Sequence, residues 1–420
     1  MTDTHTYCVK LADQALAASR ELMSVPGSVR AQALRIVADL LDKNAPALEA
    51  ANAKDLEAGR QAGLASSMLD RLKLDAKGIA KMAESVRQIA AQTDPVGQVI
   101  EGYVRPNGIQ LQKIRVPIGV VLIIFESRPN VTSDAAALCI KSGNAVILRG
   151  GKEAVHSNKM IADIVSQGLR EAGINPHAVQ LVETTDRAAV GELLKMEGKI
   201  DLAIPRGGES LIRAVVEQAR IPVIKHYTGN CHVYFHSEAD HDMAVKIILN
   251  AKTQRTGVCN ATETLLVDRK AADAGLLVKA CQALADKGVE LRGDEATCKL
   301  FPGARPATPQ DWDTEYLDMI LAVKVVEDID QAIDHINRHG SRHTDAIVTR
   351  DLAASQRFIQ RVDSANVFVN CSTRFSDGGE YGLGAEIGIS TDKLHSRGPM
   401  GAADLTTYKW VAMGNGQVRS

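Results

Sequence analysis

Neither sign of charge prevails in this chain: 49 lysines and arginines stand against 51 aspartates and glutamates among 420 residues. Without a basic surplus there is no broad field to draw in nucleic acid or an anionic membrane surface, and neither is expected as a partner. Long apolar runs are missing too. The longest, residues 116–125, contains Pro117 and is half the roughly 20 residues a membrane helix needs. Residues 1–7 are polar and lack the basic start and apolar core of a secretory leader, so a cytoplasmic location is expected. Seven cysteines (Cys8, Cys139, Cys231, Cys259, Cys281, Cys298, Cys371) are scattered with no Cys-x-x-Cys pair, which argues against a disulfide framework or a structural zinc site. The G-x-G-x-x-G dinucleotide fingerprint is absent as well.

What is present is a soluble globular composition, 45% apolar and 24% charged, over a length that suggests two or three domains. From residue 9 to 89 the chain favours helix, with Leu34, Val37, Leu40 and Leu41 on one face. Runs at 99–104 and 109–116 flank Pro106-Asn107-Gly108 and predict an antiparallel hairpin. Strands then alternate with helices: 120–125, 145–149, 179–182 and 200–204, with helices between them, which builds a parallel sheet covered on both faces. A second helix and strand series reaches about residue 369. Residues 371–401 read as long functional loops, and 405–413 as a solitary strand in need of a partner edge.

Two glycine-containing turns open helices in the first series: Arg149-Gly150-Gly151-Lys152-Glu153 and Arg206-Gly207-Gly208-Glu209-Ser210. At the carboxyl ends of parallel strands, such turns let backbone amides approach an anion, although each alone also reads as an ordinary connection. Arg149 and Lys152 suit an extra phosphate, which favours NADP over NAD.

The candidate nucleophile is Cys259, in Gln254-Arg255-Thr256-Gly257-Val258-Cys259-Asn260-Ala261-Thr262-Glu263. Only the thiolate attacks, and Arg255, Gly257 and Asn260 supply charge, close backbone and amide donors nearby. On this stretch alone a buried, inert thiol is the ordinary reading.

A cysteine loop set against a doubly wound sheet, with a projecting hairpin and a terminal strand, resembles the aldehyde dehydrogenase superfamily. Within it the chain is similar to the γ-glutamyl phosphate reductases, on the residues around Cys259 and on the block from Val326 to Ile347. The resemblance implies an α/β fold of aldehyde dehydrogenase type. A cofactor-binding domain is expected over 1–98 and 117–228, a catalytic domain over 229–400, and an oligomerisation extension over 99–116 and 401–420.

It further implies NADPH-dependent reduction of L-glutamyl 5-phosphate to L-glutamate 5-semialdehyde and phosphate, through a thioester on Cys259, in proline biosynthesis. Asn130 is the side-chain amide expected at the oxyanion. Gly150, Gly151, Lys152 and Glu153 resemble the adenosine-ribose segment, Arg206 to Ser210 the pyrophosphate turn, and Glu315 the nicotinamide-ribose glutamate. Arg128, Arg255, His343, Arg374 and Arg397 are candidates for the substrate's carboxylate and phosphate. His226 stands where members that oxidise aldehydes to free acids keep a glutamate base, and that departure favours acyl phosphate chemistry over water.

A dehydrogenase forming a free acid, and a scaffold without activity, are the competing readings. His335, His339 and His343 have helical spacing, but Gly340 ends the helix between the last two and no metal site is expected. A homo-oligomer is expected from the hairpin and terminal strand, and a transient contact with glutamate 5-kinase from the lability of the acyl phosphate.

Overall fold

The computed structural model describes residues 4–419, and the chain divides into two compact units. The first comprises Met1–Lys225, Gly382–Gly388 and Met400–Ser420; the second comprises His226–Tyr381 and Ile389–Pro399.

The first unit opens with five helices: α1 (Thr4–Leu22), α2 (Gly27–Lys43), α3 (Ala45–Gln61), α4 (Ser66–Leu72) and α5 (Ala76–Ala91). The hairpin follows as β1 (Val99–Val104) and β2 (Gln110–Pro117), antiparallel, with Gly108 at φ +87° in its turn. Then come β3 (Val120–Phe125), α6 (Asn130–Lys141), β4 (Ala145–Arg149), α7 (Val155–Glu171), β5 (Val179–Leu181), α8 (Ala188–Leu193), β6 (Leu202–Arg206) and α9 (Glu209–Gln218).

These strands form a parallel sheet in the order β5-β4-β3-β6. All six residues of β3 are buried, because successive side chains enter opposite faces. Val121, Ile123 and Phe125 join the core shared with α2, α5, α6 and α7, while Val120, Leu122 and Ile124 join the one shared with α1 and α8. A continuous apolar strand is what a doubly covered sheet requires.

The terminal strand, Thr406–Met413, is not solitary. It pairs antiparallel with β2 along its whole length, so its partner edge lies within the same chain, and β1 and the terminal strand form the two edges of this three-stranded sheet on either side of β2. Every residue of β1 is exposed.

The second unit runs β7 (Cys231–Phe235), α10 (His241–Thr253), β8 (Thr262–Asp268), α11 (Arg269–Asp273), α12 (Leu276–Ala285), β9 (Glu290–Gly293), α13 (Glu295–Leu300), β10 (Arg305–Pro306), β11 (Ile320–Val326), α14 (Ile329–His339), β12 (Thr344–Val348), α15 (Leu352–Arg361) and β13 (Asn366–Val369). Its seven strands are all parallel, in the order β10-β9-β11-β8-β7-β12-β13. Helix α10 starts because the Asp240 carboxylate accepts the Met243 amide. Its buried stripe, Ala244, Ile247, Ile248 and Ala251, then seats it on the sheet, and its last turn leads directly into the Cys259 loop. Among the described residues no helix is long and apolar enough to cross a membrane.

Candidate active site

Three segments of the second unit arrive at the amino ends of neighbouring parallel strands. His226 lies five residues before β7, Cys259 three before β8, and His343 immediately before β12. Strands β8, β7 and β12 are adjacent in that order, and neighbouring strands stand about 4.8 Å apart. Side chains from equivalent ends therefore meet. One ligand-type atom each of His226, Cys259 and His343 lies within 4.8 Å of the other two. The two imidazoles cross edge to face at 5.5 Å between centroids.

Cys259 is half-buried, whereas Cys8, Cys139, Cys231 and Cys281 are buried. Burial raises the pKa of those four thiols, that of Cys8 to about 11 and that of Cys281 to about 12. Cys259 is thus a partly accessible thiol flanked by two imidazoles, and an imidazole beside a thiol can take its proton and leave a nucleophilic thiolate. His343 is fully buried, with Nδ1 at 2.8 Å from the Thr344 hydroxyl and 3.7 Å from the Cys231 sulfur.

The Cys259 loop is held on every side. Lys252 and Glu263, at its two ends, form a fully buried ion pair at 2.6 Å. Burial pulls both toward neutrality, Glu263 to about 7 and Lys252 below its ordinary value, while their mutual contact opposes the shift. The Leu317 amide, at φ +54°, also donates to Glu263. Asn260 donates to the Ser376 carbonyl, and the Cys231 thiol donates to the Cys259 carbonyl at 3.1 Å. Behind the loop, a Cβ on Gly229 would stand 2.0 Å from that same carbonyl oxygen, so only glycine fits there.

Of the expected substrate residues, Arg255 and Arg374 join His343 at this site. Arg374 donates through Nε to Gln254, and burial lowers its pKa, with Asp377, Arg255 and Cys259 all close enough to act on it. Arg397 is engaged elsewhere, with Asp363: its Nη1 meets the carboxylate at 2.9 Å and its Nη2 the backbone carbonyl at 3.0 Å. His339 pairs with Asp313 and His335 is buried beside Trp312, so of the three spaced histidines only His343 reaches Cys259. Glu315 accepts the Gly229 amide at 2.8 Å, which ties it to the segment backing the nucleophile.

Asn130 and Arg128 belong to the first unit. Asn130 is the first residue of α6 and gives an amide proton to Asp134 one turn on, a carboxyl whose pKa burial raises to about 6.

The first unit carries a pocket of about 210 Å³ at the carboxyl ends of β4 and β5, floored by Gly150 and Gly151. Its walls also include Lys159, Glu183, Thr184 and Thr185, none of which the sequence reading singled out. The available signal was helical spacing: Val155 and Lys159 are four apart on α7 and share a face. Arg149 does not extend into open space. Its guanidinium is held by the Gly150 and Thr185 carbonyls. Glu153 folds back, accepting the Ser127 amide and hydroxyl at 2.6 and 2.9 Å. In the second turn Arg206 ends β6 and faces Glu386 at 3.6 Å, while Gly208 donates to Glu126. Glu209 pairs with Arg213 on α9.

A match to the aldehyde dehydrogenase family covers residues 3–297, so the chain is an oxidoreductase of that family. Gamma-glutamyl phosphate reductase of Geotalea daltonii is 55% identical over 410 residues, 98% of either chain. The crystal structure of the Thermotoga maritima gamma-glutamyl phosphate reductase superposes with a TM-score of 0.95 at 42% identity, over 98% of this chain and 100% of that one. The Saccharomyces cerevisiae gamma-glutamyl phosphate reductase gives 0.54 at 33% identity, over 100% and 99%. Within the family, the chain belongs to the γ-glutamyl phosphate reductases.

Proposed function

We propose that the protein reduces L-glutamyl 5-phosphate to L-glutamate 5-semialdehyde and phosphate with NADPH, in proline biosynthesis, through a thioester on Cys259. The observation that carries this reading is the partly accessible Cys259 thiol between two imidazoles, at the amino ends of β7, β8 and β12. With its proton transferred to a neighbouring imidazole, the sulfur attacks the acyl carbon. The C–S bond forms as the bond to the phosphate oxygen breaks, and phosphate leaves. The backbone amide of Cys259 and the side-chain amide of Asn130 are the proposed donors to the oxyanion. Arg255 and Arg374 receive the departing phosphate and the substrate carboxylate, and Arg128 and Arg397 are the weaker candidates.

The glycine-floored pocket of about 210 Å³ is the proposed seat of the adenosine end of the cofactor, with Lys159 on its wall, and Lys152 in the adjoining turn, suited to an added phosphate. Arg149, Glu153, the turn Arg206 to Ser210, and Glu315 complete the proposed cofactor set. NADPH, when bound, supplies a hydride. The exposed edge of β1, with Tyr103, Tyr408 and Trp410 each about half exposed on the same sheet, supports a homo-oligomer. The test of the reading is Cys259→Ala: phosphate-dependent reduction of NADP by glutamate 5-semialdehyde should vanish while the protein stays folded. Retained turnover would exclude covalent catalysis.

A further inference from the structure

We infer that Cys259, His226 and His343 also form a capture site for a zinc-like divalent cation, which blocks the reductase reversibly by occupying its nucleophile. The inference rests on the reading of Cys259 as the reacting group, but its geometry stands apart from that reading.

The donor set is one thiol and two imidazoles, the combination that zinc-class ions select over hard oxygen-seeking ones. Tetrahedral bonds of about 2.3 Å to sulfur and about 2.0 Å to nitrogen put ligand atoms roughly 3.3–3.6 Å apart. The three atoms already lie within 4.8 Å of one another, so closure needs side-chain shifts of no more than about 1.5 Å. Shifts of that size are within the reach of side-chain rotation, and the three residues lie on segments that lead into three adjacent hydrogen-bonded strands.

One ligand is preorganised. His343 is fully buried and its Nδ1 is held by the Thr344 hydroxyl, the kind of supporting bond that fixes a metal-ligating imidazole. His226 and Cys259 are half-buried, which leaves the site accessible and a fourth position for water or a substrate oxygen.

Binding replaces the thiol proton: the S–H bond breaks, the proton goes to solvent, and sulfur binds the cation as thiolate with no change of oxidation state. A sulfur so bound cannot attack an acyl carbon. The result is a metal-inhibited form, distinct from a metalloenzyme, and a chelator should restore activity.

The experiment is a cobalt(II) titration of the full-length protein, followed by its thiolate-to-cobalt charge-transfer absorption, with zinc(II) as competitor. The expected result is one cobalt per chain, displaced by zinc, and protection of Cys259 from iodoacetamide. The absorption should disappear in Cys259→Ser, and cobalt affinity should fall at least tenfold in His226→Ala and in His343→Gln. His226→Ala alters only a half-buried loop residue, so it remains informative should the buried His343 variant fold poorly. Absence of the absorption, or unchanged affinity in His226→Ala, would overturn the inference. These readouts do not involve turnover. Activity surviving in Cys259→Ser would defeat the catalytic reading while leaving the titration to judge the metal site.

Discussion

The backbone of Gly229 presses against that of Cys259: a Cβ at 229 would lie 2.0 Å from the Cys259 carbonyl oxygen and 2.5 Å from its Cα. Two loops that open adjacent strands are thus packed backbone to backbone, and the nucleophile's position depends on a missing side chain.

Gly229→Ala must therefore displace one loop or the other. A shift near 1 Å at a reacting group costs on the order of 100-fold in rate. The expected outcome is a fall in kcat of at least about that size, with folding stability reduced by about 1–3 kcal/mol as the two backbones are forced apart. A variant with unaltered kcat would show that the loop yields without moving the sulfur.

The Lys252–Glu263 pair clamps the two ends of the same loop and has no exposed surface. Removing one partner leaves a buried charge, so Lys252→Met should destabilise the protein by about 3–5 kcal/mol in urea denaturation. Lys252→Met combined with Glu263→Leu should recover most of that loss. If the double variant is as unstable as the single one, the clamp acts through packing and not through charge.

His335 supplies a pH prediction. Burial, with positive neighbours, lowers its pKa to about 2 from an ordinary value near 6.5. Above pH 6.5 folded and unfolded states both hold it neutral and it adds no slope. Between 6.5 and 2 the unfolded chain binds a proton that the folded protein refuses, so stability falls as pH falls. The slope approaches about 1.4 kcal/mol per pH unit from this group. In His335→Phe that contribution should be missing from stability curves measured between pH 4 and 6, and an unchanged slope would assign the acid sensitivity to other groups.

Lys159 and Glu183 line the glycine-floored pocket of about 210 Å³ and pair at 2.6 Å. Lys159→Ala leaves a carboxylate without its cation where an added phosphate is proposed. KM for NADPH should rise roughly tenfold, about 1.4 kcal/mol, with KM for NADH far less affected. Equal changes for both would place the extra phosphate elsewhere.

Much of this arrangement was legible in the sequence. β3, β4 and the hairpin's first strand fall where the apolar runs and the Asn107-Gly108 turn put them, because local patterning alone fixes such elements. Cys259 was singled out by the resemblance of the whole chain, since its own loop reads equally as the setting of an inert thiol. The partner of the terminal strand was not legible, since pairing with β2 joins residues almost 300 apart and leaves no periodic trace. Nor was the meeting of His226 and His343 with Cys259, which follows from the strand order β8-β7-β12 and not from spacing along the chain. The pairing of Arg397 with Asp363 was not legible either, because an arginine in a glycine-rich loop carries no mark of its partner.

The most direct test is to trap the acyl group. With glutamate 5-semialdehyde and NADP but no phosphate, the wild-type protein should release about one NADPH per chain in a burst, as one thioester forms at each active site. Peptide mapping should then find the acyl group on Cys259 and on no other cysteine. An unmodified Cys259 in protein that turns over normally once phosphate is added would contradict the account.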